Sequence, residues 1–354
     1  VPALRVRTLV TGLDHPWDVQ PIGGGRLLYT QRDRATLSVW DHGHHHRVKF
    51  PSGQVWVKGR AGLMSLEVDP DFAHNGRFYT CQGGYTRGGG HQIHVLAWHL
   101  DDRATRAREV GELLGGIPAD PQARHSGCRL LIVRDGSLLV GTGDGYVGTN
   151  AEDLTSLGGK TLRLNRFTGR PWPTNPFVHA RDRHKRYVQT YGHRNIQGLA
   201  QRSDGSLWQV EQGTYVDDEV NRLVNGGDYG FNPVSAHGTA YNENAPMTDP
   251  SLPGKQVQAR WRSGSPTLAT SGCRFVRGSK WGALDGTLAV AALKASRVIF
   301  LTFDASGHLR KVRAPAALQH DGRLRSVTVA PNNDLLITTD NGNGQDAILR
   351  VSPR

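Results

Sequence analysis

Along this chain, short apolar runs and turn-forming residues recur as one phrase: a Gly-containing entry, an apolar strand, a turn with Gly, Asp or Asn, and a second apolar strand. The phrase reads GLDHPWDVQPIGGGRLLYTQRD from Gly12, AGLMSLEVDPDFAHNGRFYTCQG from Ala61 and HSGCRLLIVRDGSLLVGTGDG from His125. It returns as GHRNIQGLAQRSDGSLWQVEQG from Gly192, TSGCRFVRGSKWGALDGTLAVAALK from Thr270 and HDGRLRSVTVAPNNDLLITTDNG from His320. Two apolar runs across a tight turn predict a β-hairpin, and helical signals are nearly absent. Each interval leaves room for two more strands, such as HQIHVLAWHL from His91 or KTLRLN from Lys160. Four antiparallel strands repeated six times predict an all-β fold, a six-bladed β-propeller filling residues 1–354 as a single domain. The stretches after Gly145 and between Asn232 and Arg260 are expected as loops on one face. A pair of β-sandwiches with fortuitously similar hairpins is the alternative architecture.

In a propeller the first strand of each blade lines the central channel, so residues at equal phase in each repeat share one height around the axis. The phrase starts carry His125, Arg194 with Asn195, and Arg323 with Arg325, and the end of a second strand carries Lys294. Cations converging on a partly desolvated cavity repel one another unless an anion lies between them. The pattern therefore predicts a polyanionic ligand.

Composition narrows the classes. The chain has 354 residues, 37% of them hydrophobic and 21% charged, which is too apolar for a disordered protein. No apolar run approaches the ~18–20 residues of a membrane helix. Lys and Arg exceed Asp and Glu by 43 − 31 = 12. The basic residues are scattered and match no nucleic-acid motif, so a nucleic-acid partner is not expected. The chain opens at Val1 without an initiating Met, so a signal segment removed upstream, and a lipid anchor there, are both compatible with the sequence. The expected location is extracellular, periplasmic or in the cell envelope. Cys81, Cys128 and Cys273 permit at most one disulfide and leave one thiol over. The cluster of His42, His44, His45 and His46 lies without a nearby thiol or carboxylate set and is expected to be a solvated turn rather than a metal site.

Two stretches carry candidate chemistry. In EQGTYVDDEVNRLVNGGDYGFN, the acids Asp217, Asp218 and Glu219 adjoin a Gly-rich turn. Such oxygens suit a hard cation such as Ca²⁺, although the spacing is not that of an EF-hand and a charged turn paired with Arg reads equally well. His125 stands at a cavity-facing strand start beside Ser126 and Gly127, where an imidazole can serve as general base or as a structural hydrogen-bonding group. No GxSxG setting or Cys–His pairing supports acyl transfer.

The phrases GLDHPWDV, HSGCRL, LGGKTLRLN, YGHRNIQGLA, EQGTYVDDEVN, GGDYGFN and GRLRSVTVAP, spread over nearly the whole chain, resemble the pyrroloquinoline quinone (PQQ)-dependent soluble glucose dehydrogenases and aldose sugar dehydrogenases. The resemblance implies oxidation of the anomeric carbon of a sugar by hydride transfer to PQQ, with an external electron acceptor. It places His125 as the catalytic base and Arg194 with Asn195 beside the reactive carbonyl region. It places Thr267, Lys294, Arg323 and Arg325 on the cofactor, and the backbone carbonyls of Gly213 and Thr214 on Ca²⁺. The tricarboxylate quinone is a polyanion of the kind the convergent cations require.

This chain departs from the family pattern at several points. Arg124 precedes His125 where the family has an acid that supports the imidazole. Arg60 stands where an amide or acid lies near the cofactor, and it could grip the cofactor or occupy part of its site. Cys128 replaces a Gly and Thr214 a Pro. Two other readings follow: a non-catalytic propeller of the same fold that binds a carbohydrate, a cell-envelope component or a protein partner, and a lactonase-like hydrolase, which would want acids and Asn rather than Arg and Lys at the axis.

Overall fold

The computed structural model describes residues 1–234 and 240–354. It contains six four-stranded antiparallel sheets. The chain opens with β1 (Leu4–Leu13) and then forms four complete blades in order. The first holds β2 (Pro16–Pro21), β3 (Leu27–Gln31), β4 (Thr36–Asp41) and β5 (His44–Arg47). The second holds β6 (Leu63–Val68), β7 (Arg77–Tyr85), β8 (His91–Leu100) and β9 (Ala107–Ile117). The third holds β10 (Gly127–Ile132), β11 (Ser137–Thr142), β12 (Thr161–Asn165) and β13 (Val188–Thr190). The fourth holds β14 (Ile196–Gln201), β15 (Leu207–Glu211), β16 (Glu219–Arg222) and β17 (Trp261–Arg262).

A fifth blade follows with β18 (Thr270–Phe275), β19 (Leu288–Ala292), β20 (Arg297–Phe303) and β21 (Leu309–Arg313). The sixth is made of β22 (Leu324–Val329), β23 (Leu335–Thr339), β24 (Asp346–Pro353) and, as its outer strand, β1. Leu4 pairs with Pro353 and Thr8 with Leu349, so the two ends of the chain close the ring through one sheet. Closure of this kind ties the first and last strands of the chain into one blade. Among the described residues no helix is long and apolar enough to cross a membrane.

The core lies between blades. Trp208 of β15 is buried against Phe303 and Phe275 of the next blade, with ring centroids 4.5 and 5.9 Å away. Outer strands are less buried, and all four residues of β5 are exposed. The histidine-rich segment expected as a turn is therefore a strand from His44 to Arg47. An outermost strand needs only backbone pairing along one edge, so its side chains can all be polar. Cys81 of β7 and Cys128 of β10 form a disulfide that ties the second blade to the third, with Cα atoms 5.4 Å apart. Cys273 remains a buried free thiol.

One irregularity repeats around the ring. All six inner strands lose register with their neighbours near their first residues, at Pro16/Val19, Leu63/Ser65, Gly127/Arg129, Ile196/Gly198, Thr270/Cys273 and Leu324/Ser326. A bulge bends a strand and re-aims the side chains beside it. Six bulges at one height turn the strand starts toward a common point on the axis.

Candidate active site

At that point is a cavity of about 280 Å³, just below the roughly 300–1,000 Å³ of typical small-ligand sites. Six arginines line it: Arg32, Arg60, Arg124, Arg194, Arg323 and Arg325. Trp17, Met64, Gln197 and Arg325 also line it, and each is the second residue of its inner strand. Equal phase thus becomes equal height. Trp17 is buried beneath two guanidinium groups, with Arg129 Cζ 4.2 Å and Arg325 Cζ 5.5 Å from its ring centre.

His125 precedes β10 with φ of 47°, a left-handed conformation that costs a non-Gly residue about 1 kcal/mol or more and clusters at functional sites. Its Nδ1 lies 2.8 Å from Oδ1 of the fully buried Asp144, while Nε2 has no partner among the described residues. The same carboxylate accepts from the Tyr146 amide at 2.8 Å and, through Oδ2, from the Tyr241 hydroxyl at 2.6 Å. Burial and the Asp144 charge both push the Tyr241 phenol up, which keeps it a donor. Tyr146 and Tyr241 stack with centroids 4.2 Å apart beside the imidazole. Asp144 reaches His125 because the chain crosses at Gly143, where an added Cβ would stand 1.8 Å from the His125 carbonyl oxygen.

The acid missing at position 124 is therefore supplied by Asp144. Arg124 itself is drawn away: Asp120 accepts its Nε and Nη2 at 3.0 Å each, and its guanidinium lies 3.5 Å from the Tyr146 ring centre.

Arg194 and Asn195 lie between the third and fourth blades. Arg194 is buried, with Nη2 2.8 Å from Glu243 and Nε without a partner among the described residues. Asn195 Oδ1 accepts from the Gly127 amide and from Gln197 Nε2, both at 3.1 Å, and its Nδ2 donates to Gln212. Arg325 donates to Asp340 at 2.7 Å and to Gln197 at 3.1 Å, while Arg323 donates to the Asp340 carbonyl. Burial pushes Arg325 down to about 10, so it stays charged at neutral pH, and its buried Nε has no partner among the described residues. Arg60 is exposed at the mouth.

Lys294 and Thr267 are not in the lining. Lys294 is exposed, and its amide donates to the Leu268 carbonyl one residue beyond Thr267, so both sit at the rim of the fifth blade. Leu293 and Ala269 face the cavity instead. Gly213 and Thr214 follow β15, next to Gln212 in the lining. Their carbonyl oxygens accept no hydrogen bond from another described residue. Such oxygens are donors of the type Ca²⁺ takes.

The neighbouring acids have protein partners. Asp218 accepts the amides of Gly213 (3.0 Å) and Leu268 (2.7 Å), and Glu219 pairs with Arg262 (3.0 Å). They brace the loop. The loop expected between Asn232 and Arg260 carries Tyr241 and Glu243 into the site, while residues 235–239 of it lie outside the described residues.

A cavity walled by arginines, with orphaned buried Nε atoms on Arg194 and Arg325, fits a compact polyanion such as a tricarboxylate quinone. Trp17, Arg32, Asp144, Tyr146, Tyr241 and Glu243 were not singled out by the sequence reading. Trp17 shares the phase of Arg325 and could have been found that way; the others lie outside the strand starts.

Residues 13–350 match the family described as Glucose / Sorbosone dehydrogenase. The aldose sugar dehydrogenase of Escherichia coli K12 is 27% identical over 362 residues, covering 99% of this chain and 93% of that protein. The soluble aldose sugar dehydrogenase of E. coli in its apo form superposes with a TM-score of 0.86 at 25% identity, covering 99% of this chain and 100% of that one. The PQQ-bound aldose sugar dehydrogenase of Streptomyces coelicolor gives 0.78 at 25% identity with the same coverage. With the match running almost end to end over a propeller of the same architecture, this chain belongs to the glucose/sorbosone dehydrogenase family.

Proposed function

We propose that this protein is an exported quinoprotein that oxidises the anomeric carbon of aldoses, using PQQ with Ca²⁺ and passing electrons to an external acceptor. The observation that carries the reading is the half-buried His125 imidazole, held by the buried Asp144 carboxylate and opening into a cavity walled by six arginines. When bound, PQQ supplies the two-electron acceptor and Ca²⁺ the positive charge that polarises it. Arg323, Arg325 and Arg60 would hold the cofactor's carboxylates, with Lys294 and Thr267 reaching from the rim, and the carbonyls of Gly213 and Thr214 would hold the ion. Arg194 and Asn195 would stabilise negative charge developing at the accepting oxygen.

Asp144 fixes the imidazole with Nδ1 protonated and Nε2 free to accept a proton. His125 then removes the proton of the anomeric hydroxyl while the C1 hydrogen leaves with its electron pair, so the C1–H bond breaks, C1=O forms and a lactone is released. The Cys81–Cys128 disulfide supports export, because disulfides persist in oxidising compartments. The test is reconstitution with PQQ and Ca²⁺ followed by dye reduction with a panel of aldoses. Aldose-dependent reduction requiring both additions is expected; dye reduction that is indifferent to PQQ, or absent with every aldose, would overturn the reading.

A further inference from the structure

The channel has a second mouth. At the opposite ends of the inner strands lies a cavity of about 680 Å³, larger than the first, to which all six blades contribute: Gln20, Glu67, Ile132, Gln201, Arg274 and Thr328. A plug separates the two. Between them Arg129 Nη1 lies 2.7 Å from Asp18, which also accepts from Ser65 at 3.1 Å, and all three side chains are buried. A ligand at one mouth therefore cannot be an extension of a ligand at the other.

The chemistry of this mouth is split. Four arginines surround it: Arg134, Arg166, Arg274 and Arg277. Arg166 is held by Asp69 at 2.9 Å, Arg274 by Glu67 at 3.3 Å, and Arg134 by the Ser203 carbonyl at 2.8 Å. Arg277 is exposed and its guanidinium has no partner among the described residues. Burial pushes the Glu67 carboxyl up to about 7, so near neutrality that acid offsets only part of the cationic field. Leu131, Val133, Phe275 and Pro331 give the remaining wall an apolar surface.

We propose that this far mouth is a second binding site for a small organic oxyanion, a carboxylate or a phosphate ester carried on an apolar frame. The unpartnered guanidinium of Arg277 receives the anionic group, since a planar fork of donors matches either oxyanion. The apolar wall takes the frame.

Calorimetric titration of the PQQ- and Ca²⁺-treated protein with benzoate, phenyl phosphate and benzyl alcohol tests this. Saturable one-to-one binding of either anion at millimolar concentration or below is expected, with the tighter of the two naming the oxyanion, and no binding of the neutral alcohol. Arg277→Glu, at an exposed position that should not disturb folding, should weaken the anion at least about tenfold. Arg323→Ala, in the first cavity, should leave it unchanged. The proposal fails if neither anion saturates, if benzyl alcohol binds as well, or if binding follows Arg323 rather than Arg277.

Discussion

Replacing Asp144 with Asn probes the support of the imidazole without emptying the site. The carboxylate is fully buried and accepts three hydrogen bonds, from the His125 ring at 2.8 Å, the Tyr146 amide at 2.8 Å and the Tyr241 hydroxyl at 2.6 Å. An amide can keep its oxygen toward His125 and Tyr146 while the Tyr241 hydroxyl turns to accept from the new NH₂, so the shape survives and the charge is lost. Hydrogen bonds to a charged group contribute about 1.5–3 kcal/mol against about 1 for neutral pairs. The imidazolium formed as the proton is taken loses a partner worth up to about 4 kcal/mol at an effective dielectric near 20. Together these give about 2–4 kcal/mol in the transition state, a fall in kcat of roughly 30- to 1,000-fold. The substrate affinity is not addressed by this group, so KM should change less than about threefold. Steady-state kinetics of the reconstituted variant, with a thermal melt to verify folding, provides the assay. A folded Asp144→Asn enzyme with kcat within threefold of the parent would refute the role given to the pair.

Other expectations can be checked independently of turnover. Cys128→Ser should cost about 2–4 kcal/mol by opening the link between the second and third blades, seen as a drop in chemical denaturation midpoint without change in fold by circular dichroism. Gly143→Ala forces a Cβ to within 1.8 Å of the His125 carbonyl oxygen and 3.0 Å of Asn195 Oδ1, so it should destabilise the protein and, if folded, lower kcat about as strongly as Asp144→Asn. Asp340 lies between Arg325 (2.7 Å) and His15 (2.6 Å). Against burial, these partners hold its carboxyl well below the usual range, and its hydrogen bond raises His15. The depressed acid stabilises above the ordinary Asp value near 3.9 and loses this as pH falls through its folded value, whereas the raised His stabilises below about 6.5 and loses this as pH rises through its folded value. Melting temperature against pH should therefore show the largest deficit for Asp340→Asn between about pH 4 and 6.5.

The hairpins were legible because the inner two strands of each blade are buried on both faces and read as apolar runs around Gly or Asp turns. The outer strands were not: HHHR of β5 and LRKVR of β21 carry no periodic apolar face, since one paired edge suffices to hold them. Nor does the period reveal that β1 completes the sixth blade, a contact across the whole chain. In the site, phase located His125, Arg194, Arg323 and Arg325 because inner-strand starts define a height. The supporting carboxylate escaped because Asp144 follows a second strand and turns back only through Gly143, and Tyr241 and Glu243 because they sit in a long loop without periodicity. Lys294 was placed by its position at the end of a second strand and Thr267 by resemblance alone, and the structure leaves both at the rim, with Leu293 and Ala269 facing the cavity instead. The charge of +12, first a question about nucleic acid, now has ten arginines around the two mouths of the channel.

The most direct measurement is the rate at which glucose reduces bound PQQ in a single turnover, followed by cofactor absorbance in the parent and in His125→Ala. Both should bind one PQQ per chain, and the variant should reduce it about 10²- to 10⁴-fold more slowly, the usual contribution of a positioned base. Equal rates, or no PQQ bound by the parent, would contradict a quinone-filled cavity served by His125.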